Sequence, residues 1–122
     1  MEDKNMEILK TDIENLAANK KMLYKMTQES SKSISKLDDE ELDKSHPVDA
    51  YLQYKDVNSK GNPVTLLSIL SDGTVYTAQS VTLQESFFKI VELMEDEPFS
   101  VIFTQGTAKS GRQFIDCELD CT

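Results

Sequence analysis

Tryptophan is absent, histidine occurs once, and three prolines and four glycines are all that punctuate 122 residues. A single histidine, His46, leaves no catalytic triad of the Ser-His-Asp kind to assemble around it. With only two cysteines beside it, the chain is also short of soft metal ligands. His46 precedes Pro47 and reads as an exposed turn residue. No glycine-rich loop of the phosphate-cradling type occurs. No apolar run reaches the roughly 18 residues of a membrane-spanning helix. The charged start Met1-Glu-Asp-Lys lacks the apolar stretch of a signal peptide, so a cytoplasmic location is expected. Neither catalysis, nor a cofactor, nor a metal is expected.

Acid is what the chain has in excess. The 22 acidic against 13 basic residues give a formal charge of −9, which disfavours nonspecific attraction to phosphates. Asp38-Asp39-Glu40-Glu41 reads as a solvated acidic run rather than a metal cluster. Asp116, Glu118 and Asp120 alternate along a strand and share its outward face. The cysteines, Cys117 and Cys121, fall on the other face with Ile115 and Leu119, as small core hydrophobes. Residues four apart on a strand lie about 13 Å from each other, too far for a disulfide.

The chain divides near residue 46. Neither proline nor glycine occurs before Pro47. Met6, Leu9, Ile13, Leu16 and Leu23 recur at helical spacing, predicting a helical arm over residues 1 to about 30. So narrow a stripe is not stable alone in water. It would pack on the following domain or on a second copy of itself, making these five residues the candidate oligomerisation contacts. From Thr27 to Ser45 the chain turns Ser- and Lys-rich (Ser30-Ser31-Lys32-Ser33) and then acidic. That stretch reads as a linker with Ile34, Leu37 and Leu42 as its anchors.

After Pro47 the period changes to that of strands. Tyr51 to Val57 is one run, closed by the turn residues Asn58-Ser-Lys-Gly-Asn-Pro63. Val64 to Leu70 is the next, and Asp72-Gly73 turns it into Thr74–Ala78. Phe87, Phe88, Ile90, Val91, Leu93 and Met94 then form a broad helical stripe, with Ser80 or Thr82 as N-cap and Asp96-Glu97-Pro98 as its stop. Phe99 to Thr104 and Gln113 to Cys121 are two further strands joined through Gly106 to Gly111. The expected class is mainly β with helices. Strand-strand-strand-helix-strand-strand over 47–122 is the order of a five-stranded OB-type barrel, here preceded by a helical arm and linker over 1–46.

From Pro47 onward there are five basic and eleven acidic residues, but they are segregated. Eight of the acids lie on the helix region and the last strand. Lys55, Lys60, Lys109 and Arg112 lie on the first strand, its following turn and the last connection, which flank the ligand groove in an OB barrel. Tyr54, Tyr76 and Phe114 fall near them. Strand aromatics beside sparse basic residues suit single-stranded nucleic acid, where rings stack bases and cations follow the backbone. Tyrosines at the edge of a core look the same in sequence. Tyr51 and Tyr54 have opposite parity, so only one of them can face a groove.

Three segments carry a family likeness: Leu70-Ser-Asp-Gly-Thr-Val-Tyr-Thr-Ala-Gln-Ser80, Phe87-Phe-Lys-Ile-Val91, and Lys109-Ser-Gly-Arg-Gln-Phe-Ile-Asp-Cys-Glu-Leu119. Over residues 50–120 the chain resembles the OB-fold single-stranded DNA-binding proteins of Gram-positive phages and conjugative plasmids. The entry to the last strand, Lys109, Gly111, Arg112 and Phe114, matches their basic-aromatic pattern. The resemblance implies non-sequence-specific binding of single-stranded DNA, or RNA, in replication or transfer, with no membrane partner. The competing expectation is an acidic phage-type protein that modulates a basic host protein, for which the net charge speaks.

Overall fold

In the computed structural model, residues 6–27, 32–95 and 97–122 are described. The first five residues of the expected arm, Ser30 and Ser31 of the serine-rich stretch, and Asp96 of the helix stop lie outside them. Eight strands and two helices follow one another as β1 (Glu7–Thr11), α1 (Lys20–Thr27), β2 (Lys32–Ser33), β3 (Ser45–Pro47), β4 (Ala50–Val57), β5 (Pro63–Ser71), β6 (Thr74–Ala78), α2 (Val81–Met94), β7 (Ser100–Thr107) and β8 (Gln113–Leu119). From β4 onward this is the expected order.

The strands form a five-stranded sheet, β1-β4-β5-β6-β2, and a three-stranded sheet, β3-β7-β8. The barrel is therefore not closed. In a closed barrel the free edge of β6 would pair with β8, but here β2 takes it in parallel, Lys32 opposite Tyr76. One run of chain serves both sheets: β3 pairs with β7 and β4 with β5. Between them the Val48 N–H donates to the Phe99 carbonyl, and the Asp49 N–H to that of Leu70.

Strand parity sorts the core into two. Leu67, Ile69, Tyr76 and Ala78 point to one face of the large sheet, where Leu83, Phe87 and Ile90 of α2 meet Val101, Phe103 and Cys117 of the small sheet. Ser80 caps α2 by accepting the Leu83 N–H at 3.2 Å. Leu52, Tyr54 and Val75 point to the opposite face, where they pack with Leu16 and Met26 from the N-terminal segment.

That segment is not the continuous helix its spacing predicts. Residues 7–11 form a strand, because the open edge of β4 offers Glu7–Thr11 a ladder, with Ile8 opposite Tyr54. Tertiary pairing overrides the helical spacing here, although the ladder shifts register between Ile8 and Lys10. Thr11 Oγ1 then donates to the Tyr51 carbonyl and accepts the Ile13 N–H, which turns the chain. Asn15 is left-handed with φ 53° and precedes a single 3-10 turn, Leu16–Ala18, and the α-helix begins only after Asn19, whose Oδ1 accepts the Met22 N–H. Of the five candidate oligomerisation residues, Leu16 is buried under α1, while Met6, Ile13 and Leu23 are partly buried against the same chain's sheet. Leu9 stays 37% exposed.

Two further expectations change. Ile34, Leu37 and Leu42 do anchor the acidic stretch, and they seat it in the main core rather than leaving it a loose linker. His46 is buried, not exposed: its Nε2 donates to the Glu41 carbonyl at 2.9 Å, and its ring lies 5.2 Å from Tyr76 and 5.1 Å from Phe103. Pairing of β3 with β7 draws it inward. Cys117 is buried as expected, whereas Cys121 lies beyond the end of β8 and is exposed.

Candidate nucleic-acid interface

Two hairpin tips are built alike. In the β4–β5 turn the Asn58 N–H donates to the Asn62 carbonyl at 2.9 Å, and the Gly61 N–H to that of Asn58 at 2.9 Å. In the β7–β8 turn the Ala108 N–H donates to the Arg112 carbonyl at 2.8 Å, and the Gly111 N–H to that of Ala108 at 2.9 Å. Each closes on a left-handed glycine, Gly61 at φ 81° and Gly111 at φ 88°, a conformation other residues adopt at a cost. Asn58 Oδ1 fixes the first tip further by accepting the Lys60 and Asn62 N–H groups. Lys60 stands exposed on one tip, Lys109 and Arg112 on the other, and Lys55 is exposed near the end of β4.

Phe114 sits at the foot of the second tip, opposite Gly106 in the β7–β8 ladder. The tip of its ring reaches over that glycine: a Cβ added at 106 would stand 2.7 Å from Phe114 Cζ. The ring is held by the strand beneath it and remains 37% exposed. A fixed, partly exposed ring beside Arg112 and Lys109 has the geometry of a stacking platform with cations for the adjoining phosphates.

The two tyrosines of the sequence-derived set are elsewhere. Tyr54 is 3% and Tyr76 6% exposed, so neither ring presents a face to a base in this arrangement. Burial raises the Tyr54 hydroxyl above its ordinary pKa, and that hydroxyl bonds Ser68, whose Oγ donates to the Met26 carbonyl at 2.7 Å. Tyr76 donates to Glu41 at 3.1 Å, and burial likewise raises its pKa. Glu41 also takes the Lys32 ammonium at 2.9 Å, and that hydrogen bond holds its carboxyl below the ordinary value. Both tyrosines tie the N-terminal half of the chain to the large sheet.

Two open depressions, of about 320 and 450 Å³, run between β1 and α2. Lys10 and Phe88 line both, with the Lys10 ammonium 4.8 Å from the Phe88 ring centroid. Glu85 and Glu92 sit on their rims, which sets phosphates against them. Among the described residues no three His, Cys, Asp or Glu side chains cluster as metal ligands, and no helix is long and apolar enough to cross a membrane.

Residues 3–120 match the family model described as phage single-stranded DNA-binding protein. The chain belongs to that family. The match takes in both tips, Phe114 and the N-terminal segment alike. No curated protein and no solved structure matches the chain. Sequence reasoning offered Lys55, Lys60, Lys109, Arg112 and Phe114 as binding residues, and all five are exposed. It passed over α1, where Lys20, Lys21 and Tyr24 are exposed. A charge count confined to residues 15–37, five lysines against Glu29, was the available signal.

Proposed function

We propose that the protein coats single-stranded DNA without regard to base sequence during phage replication or transfer. Membership of the family over residues 3–120 is the observation that carries this reading. Lys60, Lys109 and Arg112 on the paired tips, with Lys55, hold phosphates, and Phe114 stacks a base. This is the division of labour of sequence-tolerant binders, and the tips take the place of the loops that flank an OB groove. The acids on α2 and toward the end of β8 repel the strand from those surfaces and confine it to the tips. Coating also calls for contacts between copies, and the exposed Leu9 on the edge strand β1 supports one made by the N-terminal segment.

The test is fluorescence anisotropy of a labelled oligo-dT of roughly 30 nucleotides, at low and moderate salt, against a duplex control. Single-strand binding that weakens as salt rises is the expected result. Lys109→Ala/Arg112→Ala should weaken it for every base composition. No binding at low salt would discard the reading and favour the acidic domain as a ligand for a basic protein.

A further inference from the structure

In a chain of net charge −9, residues 15–37 hold five lysines and a single acid, Glu29. The middle of that stretch is α1. Its Met22, Leu23 and Met26 pack toward the large sheet, while Lys20, Lys21 and Tyr24 are exposed. Tyr24 follows Lys20 by four positions and Lys21 by three, so the ring and the two ammonium groups share one side of the helix. At 62% exposure this is the most open aromatic ring among the described residues. A tyrosine in the core of this fold is buried like Tyr54 and Tyr76, so packing does not account for Tyr24.

The position of α1 gives the patch a relation to the hairpin tips. Lys25, one residue on, reaches the Gly73 carbonyl at 3.5 Å, in the turn that follows β5. The Lys60 turn precedes β5, and the nine residues of that strand span roughly 30 Å. Tip and patch therefore stand toward opposite ends of one strand.

We propose that Lys20, Lys21 and Tyr24 form a second contact for single-stranded nucleic acid, separate from the tips, with the lysines on phosphates and Tyr24 stacking a base. This rests on the single-strand binding proposed above and adds to it a path along the large sheet. Charge complementarity selects a polyanion, and the open ring beside two cations selects one with unpaired bases over an acidic protein.

Four variants and wild type decide it, titrated with oligo-dT of roughly 30 nucleotides between about 50 and 200 mM salt. Lys20→Gln/Lys21→Gln removes the two cations. Lys44→Gln/Lys89→Gln removes the same charge from exposed lysines elsewhere. Tyr24→Ala removes the ring, and Tyr24→Phe keeps it. Each phosphate contact on a single strand contributes about 0.7 to the slope of log K against log salt, so the α1 pair should lower the slope by about 1.4 relative to the Lys44/Lys89 pair. Tyr24→Ala should bind at least about fivefold more weakly, with Tyr24→Phe near wild type. If wild type binds while both lysine pairs give one slope and Tyr24→Ala binds normally, α1 makes no contact and the tips act alone. If wild type does not bind, the function proposed above falls, and this contact with it.

Discussion

Gly106 and Phe114 form a pair in which neither residue is free to change alone. Gly106→Ala puts a methyl against the ring, which must move aside, at a cost of about 0.5–1.5 kcal/mol. Thermal unfolding should report the loss, and Phe114→Leu in the same chain should restore stability without restoring DNA affinity. The two thiols divide just as sharply. Burial, with Asp116 and Glu118 adding to it, pushes the Cys117 thiol up to about 12, whereas Cys121 is exposed. One equivalent of a thiol reagent should react with the native protein at neutral pH, and the second only on unfolding. Rapid reaction of both would contradict the packing of Leu83 over β8. Glu41 makes the acid-side prediction. Its folded pKa lies below 4.5, so the stability it contributes is complete above about pH 4.5 and drains away as pH falls through the folded value. Denaturation followed from pH about 6 to about 3 should therefore be less steep in Glu41→Gln than in wild type.

At the level of elements, α1 and β1 are held by contacts their own sequences do not advertise. Met26 is 2% exposed beneath the sheet, and Met26→Ala should cost about 2–5 kcal/mol in urea denaturation. A cost under about 1 kcal/mol would mean that α1 does not close this face. What could be read in advance followed from local chemistry. Asp72-Gly73 fixed a hairpin, Ser80 or Thr82 a helix start, and strict alternation from Ile115 the last strand. What could not be read depended on a distant partner. Glu7–Thr11 becomes a strand because β4 has an open edge, and β2 takes the edge of β6 that barrel closure requires. The buried tyrosines were hidden for the same reason. Parity showed that Tyr51 and Tyr54 face apart, but not that α1 and Leu16 roof the side that Tyr54 faces.

For the whole molecule, charge is arranged by region rather than balanced. The segment around α1 and the hairpin tips are basic, while α2 and the end of β8 are acidic. A sum of −9 conceals this, which is why composition alone argued against a nucleic-acid partner. The candidate site was correspondingly half legible. Exposed tip residues announce themselves through turn-forming glycines, whereas a lysine-rich stretch inside an acidic chain shows only when charge is counted segment by segment.

The run from Ser45 to Val57 belongs to both sheets, and its Val48 and Asp49 amides are bonded one to each. Neither sheet retains all its strands if the other comes apart, so the molecule lacks a seam along which to open by halves. Slow amide exchange in β5 and in β7 should then proceed through a common event, at one free energy, with matching dependence on denaturant. Assembly faces the same requirement in reverse. The β3–β7 and β1–β4 pairings join residues more than 40 positions apart, and such distant closures slow the search for the native state. A chain so connected would thus be slow to form and reluctant to come undone.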